Sequence, residues 1–311
     1  MLVVGETARA ANWGLNGYAR QTTPRLAARS DVVSFQSVTS CGTNTEVSLP
    51  CMFSALGRRH YDEERIRGSE SLLHILQRVG IQVFWRDNQS GCKGVCDGLP
   101  SELISAATAP AACNGARCLD EGLLQGLEER LQRQFGAAAG VDQLVVLHQL
   151  GNHGPAYDSR YPDAFRRFGP VCATADLHQC SREQIVNAYD NALLYTDHVL
   201  ANAIESLQGQ SATHDTALLN VTDHGESLGE NGLYLHGMPY AIAPEVQTRV
   251  PMLLWLSPGF TQRQRLDLAC VRARATQPAS HDNLFHTLLG MLSVDTKLYV
   301  PDADLLLACR R

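Results

Sequence analysis

The stretch ALLNVTDHGES, residues 217–227, decides the reading of this chain. Its first five residues are nearly all apolar, too few for a helix, and they run without polar alternation into Asp223, His224 and Gly225. An unbroken apolar run of that length, closed by a glycine-rich polar corner, predicts a strand buried on both faces. Four other stretches share the pattern: LVVGETA from residue 2, IQVFWRDN from 81, QLVVLHQLGNHG from 143 and VPMLLWLSPG from 250.

Between these strands lie helical periodicities. Leu72, Leu73, Leu76 and Val79 share one face of a segment from Ser69 that stops before Gly80, and Leu123, Leu124, Leu127 and Leu131 do the same over Asp120 to Phe135. Ser181 and Gln184 form a capping-box pattern ahead of Ile185, Tyr189, Ala192, Thr196, Val199, Ala203 and Leu207, and a fourth helix is predicted over Ser280 to Leu292. Buried strands alternating with amphipathic helices imply one α/β domain over 1–311: a largely parallel central sheet covered on both faces, with its chemistry at the C-terminal strand ends.

Composition narrows the function. Thirty-two acidic residues against twenty-six Lys and Arg give a net charge of −6, which lacks the basic footprint of a nucleic-acid binder. No apolar run is long enough to span a membrane, and Met1 abuts a buried-strand pattern, which is the look of a domain cut from a longer protein. Ten cysteines include close neighbours, Cys41 with Cys51, Cys92 with Cys96, Cys113 with Cys118 and Cys172 with Cys180, leaving Cys270 with Cys309. Spacing does not fix connectivity, but local disulfides and an oxidising compartment are the expectation. A structural zinc knuckle at Cys92 and Cys96 is the rival, weakened because no second half follows at the usual spacing.

The strand ends carry metal-ligand residue types: Glu6 after the first, His148 and His153 after the third, Asp223 and His224 after the fourth. The bland alternatives are a solvated Gly-Glu corner and a capped turn; Gly and Pro around His153, and His236 close to the Asp-His pair, argue against them. His60, His74, His178, His198, His214 and His286 have no such setting and are assigned to surface or core. Two carboxylates with an imidazole suit zinc and leave a position for a substrate oxygen, with manganese as the alternative. Such an ion activates a nearby hydroxyl. In SCGTNTEVSLPC, residues 40–51, two cysteines fence a loop entering a helix, where Thr45 fits the nucleophile and Thr43 and Ser48 are its rivals as caps and turn residues.

Taken together, VVGETARA, NGYARQTTPRL, SCGTNTEVSLPCMFSALG, WRDN, HQLGNHGPAY, AYDNALLYTD, TDHGESLGENGLYLHGMPYA and VPMLLW resemble the catalytic domain of bacterial lipid A phosphoethanolamine transferases, which include the mobile colistin-resistance enzymes. The resemblance implies an alkaline phosphatase and sulfatase type of α/β/α sandwich, periplasmic, behind an N-terminal transmembrane domain in the inner membrane. It implies zinc held by Glu6, Thr45, Asp223 and His224, one ion tightly bound and in places a second, with Thr45 as nucleophile. Substrate-side groups match His153 and His236, either of which can serve as acid or base, with His148 beside them, and the phosphate-contacting lysine matches Lys93. Where some relatives carry Asn after WRDN as a substrate contact, this chain has Gln89, which keeps an amide for that contact. The implied donor is phosphatidylethanolamine and the implied acceptor a lipid A phosphate. A hydrolytic sulfatase would need Cys or Ser opening a C/S-x-P-x-R motif, which Cys51-Met52-Phe53-Ser54-Ala55 lacks. Transfer of phosphoethanolamine or phosphoglycerol to another envelope acceptor such as lipopolysaccharide core, or a catalytically silent envelope module, are the remaining alternatives.

Overall fold

In the computed structural model, which describes residues 1–115, 117–136 and 140–311, eight strands form one sheet. They are β1 (Leu2–Gly5), β2 (Val32–Thr39), β3 (Gln82–Asp87), β4 (Ser101–Leu103), β5 (Gln143–His148), β6 (Ala217–Thr222), β7 (Arg249–Leu256) and β8 (Ala279–Ser280). Their spatial order is β8-β2-β7-β6-β1-β5-β3-β4. Every neighbouring pair is parallel except those made by β7, which runs antiparallel to both β2 and β6. The C-terminal ends of β1, β2, β3, β5 and β6 therefore share one edge.

Alternation along β1 shows why the sheet needs two covers. Leu2 and Val4 pack into one apolar cluster with Leu49, Leu72, Leu76, Phe285 and Leu288, while Val3 packs into another with Ile185, Tyr189, Leu193, Leu200 and Ile204. The first cluster draws on helices α1 (Thr45–Met52), α2 (Leu72–Arg78) and, further along the chain, residues 282–291. The second draws on a 28-residue helix over Arg182–Gly209 capped by the predicted Ser181–Gln184 box. Burying one such leucine contributes about 2 kcal/mol, so a stripe of them outweighs the weak intrinsic stability of any single helix. The result is an α/β/α sandwich.

Two departures from the sequence reading have local causes. Strand β2 went unpredicted because Ser34, Gln36 and Ser37 interrupt its apolar run, as suits a strand near the sheet's end flanked outside only by short β8. The helix expected over Asp120 to Phe135 is broken into a 3-10 turn, Asp120–Leu123, and a helix starting at Leu127. Asp120 is tied down, its carboxylate accepting the N–H groups of Leu150 and Gly151, and Gly126 takes a left-handed φ of 61° between the two pieces. Cys92 and Cys96 are bonded to one another, as expected, so the rival zinc knuckle does not form there.

All ten cysteines pair, Cys41–Cys51, Cys92–Cys96, Cys113–Cys118, Cys172–Cys180 and Cys270–Cys309. Thiol titration of denatured, unreduced protein is accordingly expected to find essentially none, and ten after reduction; ten at the outset would overturn the oxidised pairing. Closing the loop between Cys41 and Cys51 contributes on the order of 2–3 kcal/mol in the chain-entropy view, and it ties the last turn of α1 back to the chain just after β2.

Candidate active site

Glu6 follows the last residue of β1, and Asp223 and His224 follow β6, its parallel neighbour. Gly5 makes their approach close: a Cβ there would lie 2.7 Å from Thr222 Oγ1. On the other flank the loop after β5 folds over Glu6 through Gly151, whose φ is +52° and whose added Cβ would meet the Glu6 carbonyl at 2.6 Å. Both positions need glycine for space, and the second for conformation as well.

All three side chains are fully buried. His224 Nε2 lies 3.2 Å from Glu6 Oε1 and 3.4 Å from Asp223 Oδ2, and one donor atom from each residue falls within 4.8 Å of the other two. His224 Nδ1–H donates to the Gly225 carbonyl at 3.0 Å, which turns Nε2 toward the carboxylates as a metal ligand requires. Thr45 completes the group. Its Oγ1 donates to Glu6 Oε2 at 3.0 Å and sits 3.4 Å from His224 Nε2.

Three buried polar atoms around this cluster have no hydrogen-bond partner among the described residues: Glu6 Oε1, Asp223 Oδ2 and His148 Nε2. Buried acceptors are rarely left unpaired unless something else binds them. The protonation pattern agrees. Burial alone would discharge His224, yet Asp223 and then Glu6 hold its imidazolium, raising its pKa to about 10. Burial, and then repulsion from Glu6, push Asp223 up to about 6, while Glu6 is drawn below the usual carboxylate range because His224 outweighs its burial. A proton thus supplies charge where a divalent cation would, and two carboxylates, an imidazole and a hydroxyl fit zinc.

Asn44 caps α1, its Oδ1 accepting the Val47 N–H at 2.9 Å, and so places Thr45 as the first helical residue. Thr43 Oγ1 donates to the Met238 carbonyl at 2.6 Å and Ser48 Oγ to the Asp223 carbonyl. Their hydroxyls are occupied as braces. His281, which sequence reasoning missed, is a third brace. It is buried, lowered by that burial to about 4, and therefore neutral; Nδ1 accepts the Cys41 N–H at 3.0 Å while Nε2–H donates to Thr222 O at 2.9 Å. The only hint in the sequence was a histidine at the very start of the helix predicted over Ser280 to Leu292, one residue ahead of where the helix begins in the structure.

The remaining expected residues divide. The ring of His236 lies tilted with its centroid 4.4 Å from that of His224 and edge-on 5.4 Å from that of His153, so both histidines expected on the substrate side stand at the cluster. Lys93 lies by the first turn of α1, where Nζ meets Glu46 Oε1 at 2.7 Å and Ser90 Oγ at 2.9 Å. Gln89, expected to face substrate, instead donates from Nε2 to Glu6 Oε2 at 2.7 Å, the oxygen that also takes the Thr45 hydroxyl. His148 requires a similar correction: fully buried, with Nδ1 on Asp87 Oδ2 at 2.9 Å and its ring edge-on to Trp85, it underpins the cluster rather than lining a mouth open to substrate.

The sulfatase family pattern matches residues 1–294. The chain belongs to that family. Its fold is accordingly of the alkaline phosphatase and sulfatase type, with which the mostly parallel sheet with helices on both faces agrees. The crystal structure of the soluble domain of lipooligosaccharide phosphoethanolamine transferase A from Neisseria meningitidis superposes with a TM-score of 0.94 at 46% identity, covering 100% of this sulfatase-family chain and 92% of that one. Phosphoethanolamine transferase EptA of Escherichia coli strain K12 is 50% identical over 100% of this chain and 56% of its own length. Phosphatidylethanolamine transferase Mcr-1 of Escherichia coli is 45% identical over 94% of this chain and 53% of its own. The chain thus spans about half the length of these two relatives. Within the sulfatase family it sits among the phosphoethanolamine transferases. Among the described residues no helix is long and apolar enough to cross a membrane.

Proposed function

We propose that residues 1–311 are the periplasmic catalytic domain of a zinc-dependent phosphoethanolamine transferase that moves this group from phosphatidylethanolamine to a lipid A phosphate through phospho-Thr45. The observation that carries this reading is the Thr45 hydroxyl at the start of α1, 3.0 Å from Glu6 and 3.4 Å from His224, inside a buried cluster of metal donors. The relatives named for this transfer supply the substrates by analogy. A zinc ion held by Glu6, Asp223, His224 and Thr45 supplies Lewis acidity that eases loss of the threonine proton and offsets charge at phosphorus.

The chain's own residues do the rest. Thr45 Oγ1 attacks phosphorus and its proton passes along the existing hydrogen bond to Glu6. The bond to the glycerol oxygen breaks, the electron pair stays on that oxygen, and His236 Nε2 delivers a proton to it. Lys93 lies beside the same helical turn and faces the nonbridging oxygens. In the second half an oxygen of the acceptor phosphate attacks, giving its own proton to His236, and Thr45 recovers its proton as its bond to phosphorus breaks. A lipid A that has gained an ammonium group is less anionic, so binding of cationic polymyxins such as colistin weakens.

Incubation of the zinc-loaded chain with phosphatidylethanolamine in detergent is expected to add one phosphoethanolamine to its intact mass, removable by lipid A. Diacylglycerol release without a protein adduct would point to hydrolysis, and no reaction at all to a binding module.

A further inference from the structure

His236 does not hold its own position. The short strands Ser227–Leu228 and Tyr234–Leu235 pair antiparallel with Leu235 opposite Ser227, and one step further along the hairpin His236 stands opposite Glu226. Glu226 is fully buried. Its Oε2 meets His236 Nδ1 at 2.8 Å, and its Oε1 accepts the Tyr157 hydroxyl at 2.7 Å. Tyr157 in turn packs edge-on against buried Tyr189, with ring centroids 5.5 Å apart, and Tyr189 donates to the carbonyl of Thr7, two residues past the end of β1. A carboxylate with both oxygens engaged and no solvent to turn into is a rigid fixture, and it fixes the ring attached to it.

We infer that Glu226, held by Tyr157, is a positioning residue that keeps His236 Nε2 turned toward the reacting phosphorus. The inference rests on the reading of His236 as the acid of the transfer. As the Thr45 oxygen bonds to phosphorus, the proton on Nε2 goes to the departing glycerol oxygen, which carries off the electron pair of the broken bond. An alkoxide needs that proton to leave; an aryl oxide hardly does. Correct aim of His236 therefore matters for the lipid donor and little for an aryl ester of phosphoethanolamine.

The test measures Thr45 adduct formation from phosphatidylethanolamine and from an aryl phosphoethanolamine, with bound zinc quantified in every variant. Glu226→Gln and Tyr157→Phe are expected to slow the lipid donor, the former by about 10- to 100-fold, to change the aryl donor by less than about threefold, and to keep zinc. His236→Ala should show the same donor dependence more strongly. Equal slowing of both donors by Glu226→Gln, or loss of zinc, would make Glu226 a purely structural residue and overturn the inference. Donor dependence in His236→Ala but not in Glu226→Gln or Tyr157→Phe would also overturn it while leaving His236 as the acid. Its absence in His236→Ala would remove the acid role, and the inference with it.

Discussion

Alanine in place of Thr45 is expected to abolish the covalent adduct and to lower transfer by at least about a thousandfold, the scale on which loss of a nucleophile is felt, with fold and disulfides intact. Three hydroxyls lie between Cys41 and Cys51, and only one is free to react. Thr43 is spent on the Met238 carbonyl and Ser48 on the Asp223 carbonyl, whereas Thr45 faces Glu6 and His224. The backbone N–H groups of Thr45 and Glu46 find no acceptor among the described residues, because Asn44 takes those of Val47 and Ser48. A phosphate esterified to Thr45 therefore lies at two free donors and the positive end of α1. Thr43→Ala and Ser48→Ala loosen the braces on which that geometry depends and should slow labelling without moving it. Peptide mapping after trapping with donor lipid decides the matter: an adduct on Thr43, Ser48 or a histidine would displace Thr45.

How much of this could be read from sequence depended on whether a residue's role was local. Glu6, Asp223 and His224 stood out because they directly follow apolar runs, and His153 because Gly and Pro fix its loop beyond another, and strands running parallel must bring such corners to one edge. Thr45 was legible from its fenced loop. Residues whose partners are set by packing were not. His281 acts by bridging Cys41 to Thr222, two positions far apart in the chain, and no periodicity announces that. Gln89 was expected to reach outward, yet a short path from the end of β3 to Glu6 turned its amide inward. Glu226 could be seen as part of a polar corner, but its pairing with His236 depends on a two-residue hairpin too short to show alternation. Strand β2, which delivers the Thr45 loop to the edge, was hidden for the opposite reason: its polar residues belong to a half-covered strand, whereas the continuous apolar runs of its neighbours mark full burial.

Removing any one of Glu6, Asp223 or His224 should cost the chain its zinc as well as its activity. His153→Ala and His236→Ala should lose activity while keeping most of the bound metal. The proton balance makes the first claim quantitative. Without metal, His224 is raised to about 10 and so carries a proton at neutral pH, held by Asp223 and Glu6; its stabilising contribution is present below its ordinary value and lost as pH rises through 10. Asp223, raised to about 6, acts in the same sense, so the metal-free fold loses stability as pH climbs from about 4 to 6. Zinc must displace the His224 proton, so binding is expected to release about one proton near pH 7.5 and to tighten about tenfold per pH unit between roughly pH 6 and 9. Below about pH 6 a second proton, from Asp223, joins it and the dependence steepens. Calorimetry in two buffers of different ionisation enthalpy counts these protons directly. Asp223→Asn supplies the control: it removes one of two crowded carboxylates while leaving Glu6 to pair with His224, so the metal-free variant should melt no lower than the metal-free parent even as zinc affinity collapses. Binding with no proton released, or full zinc occupancy in Asp223→Ala, would place the metal somewhere other than this cluster.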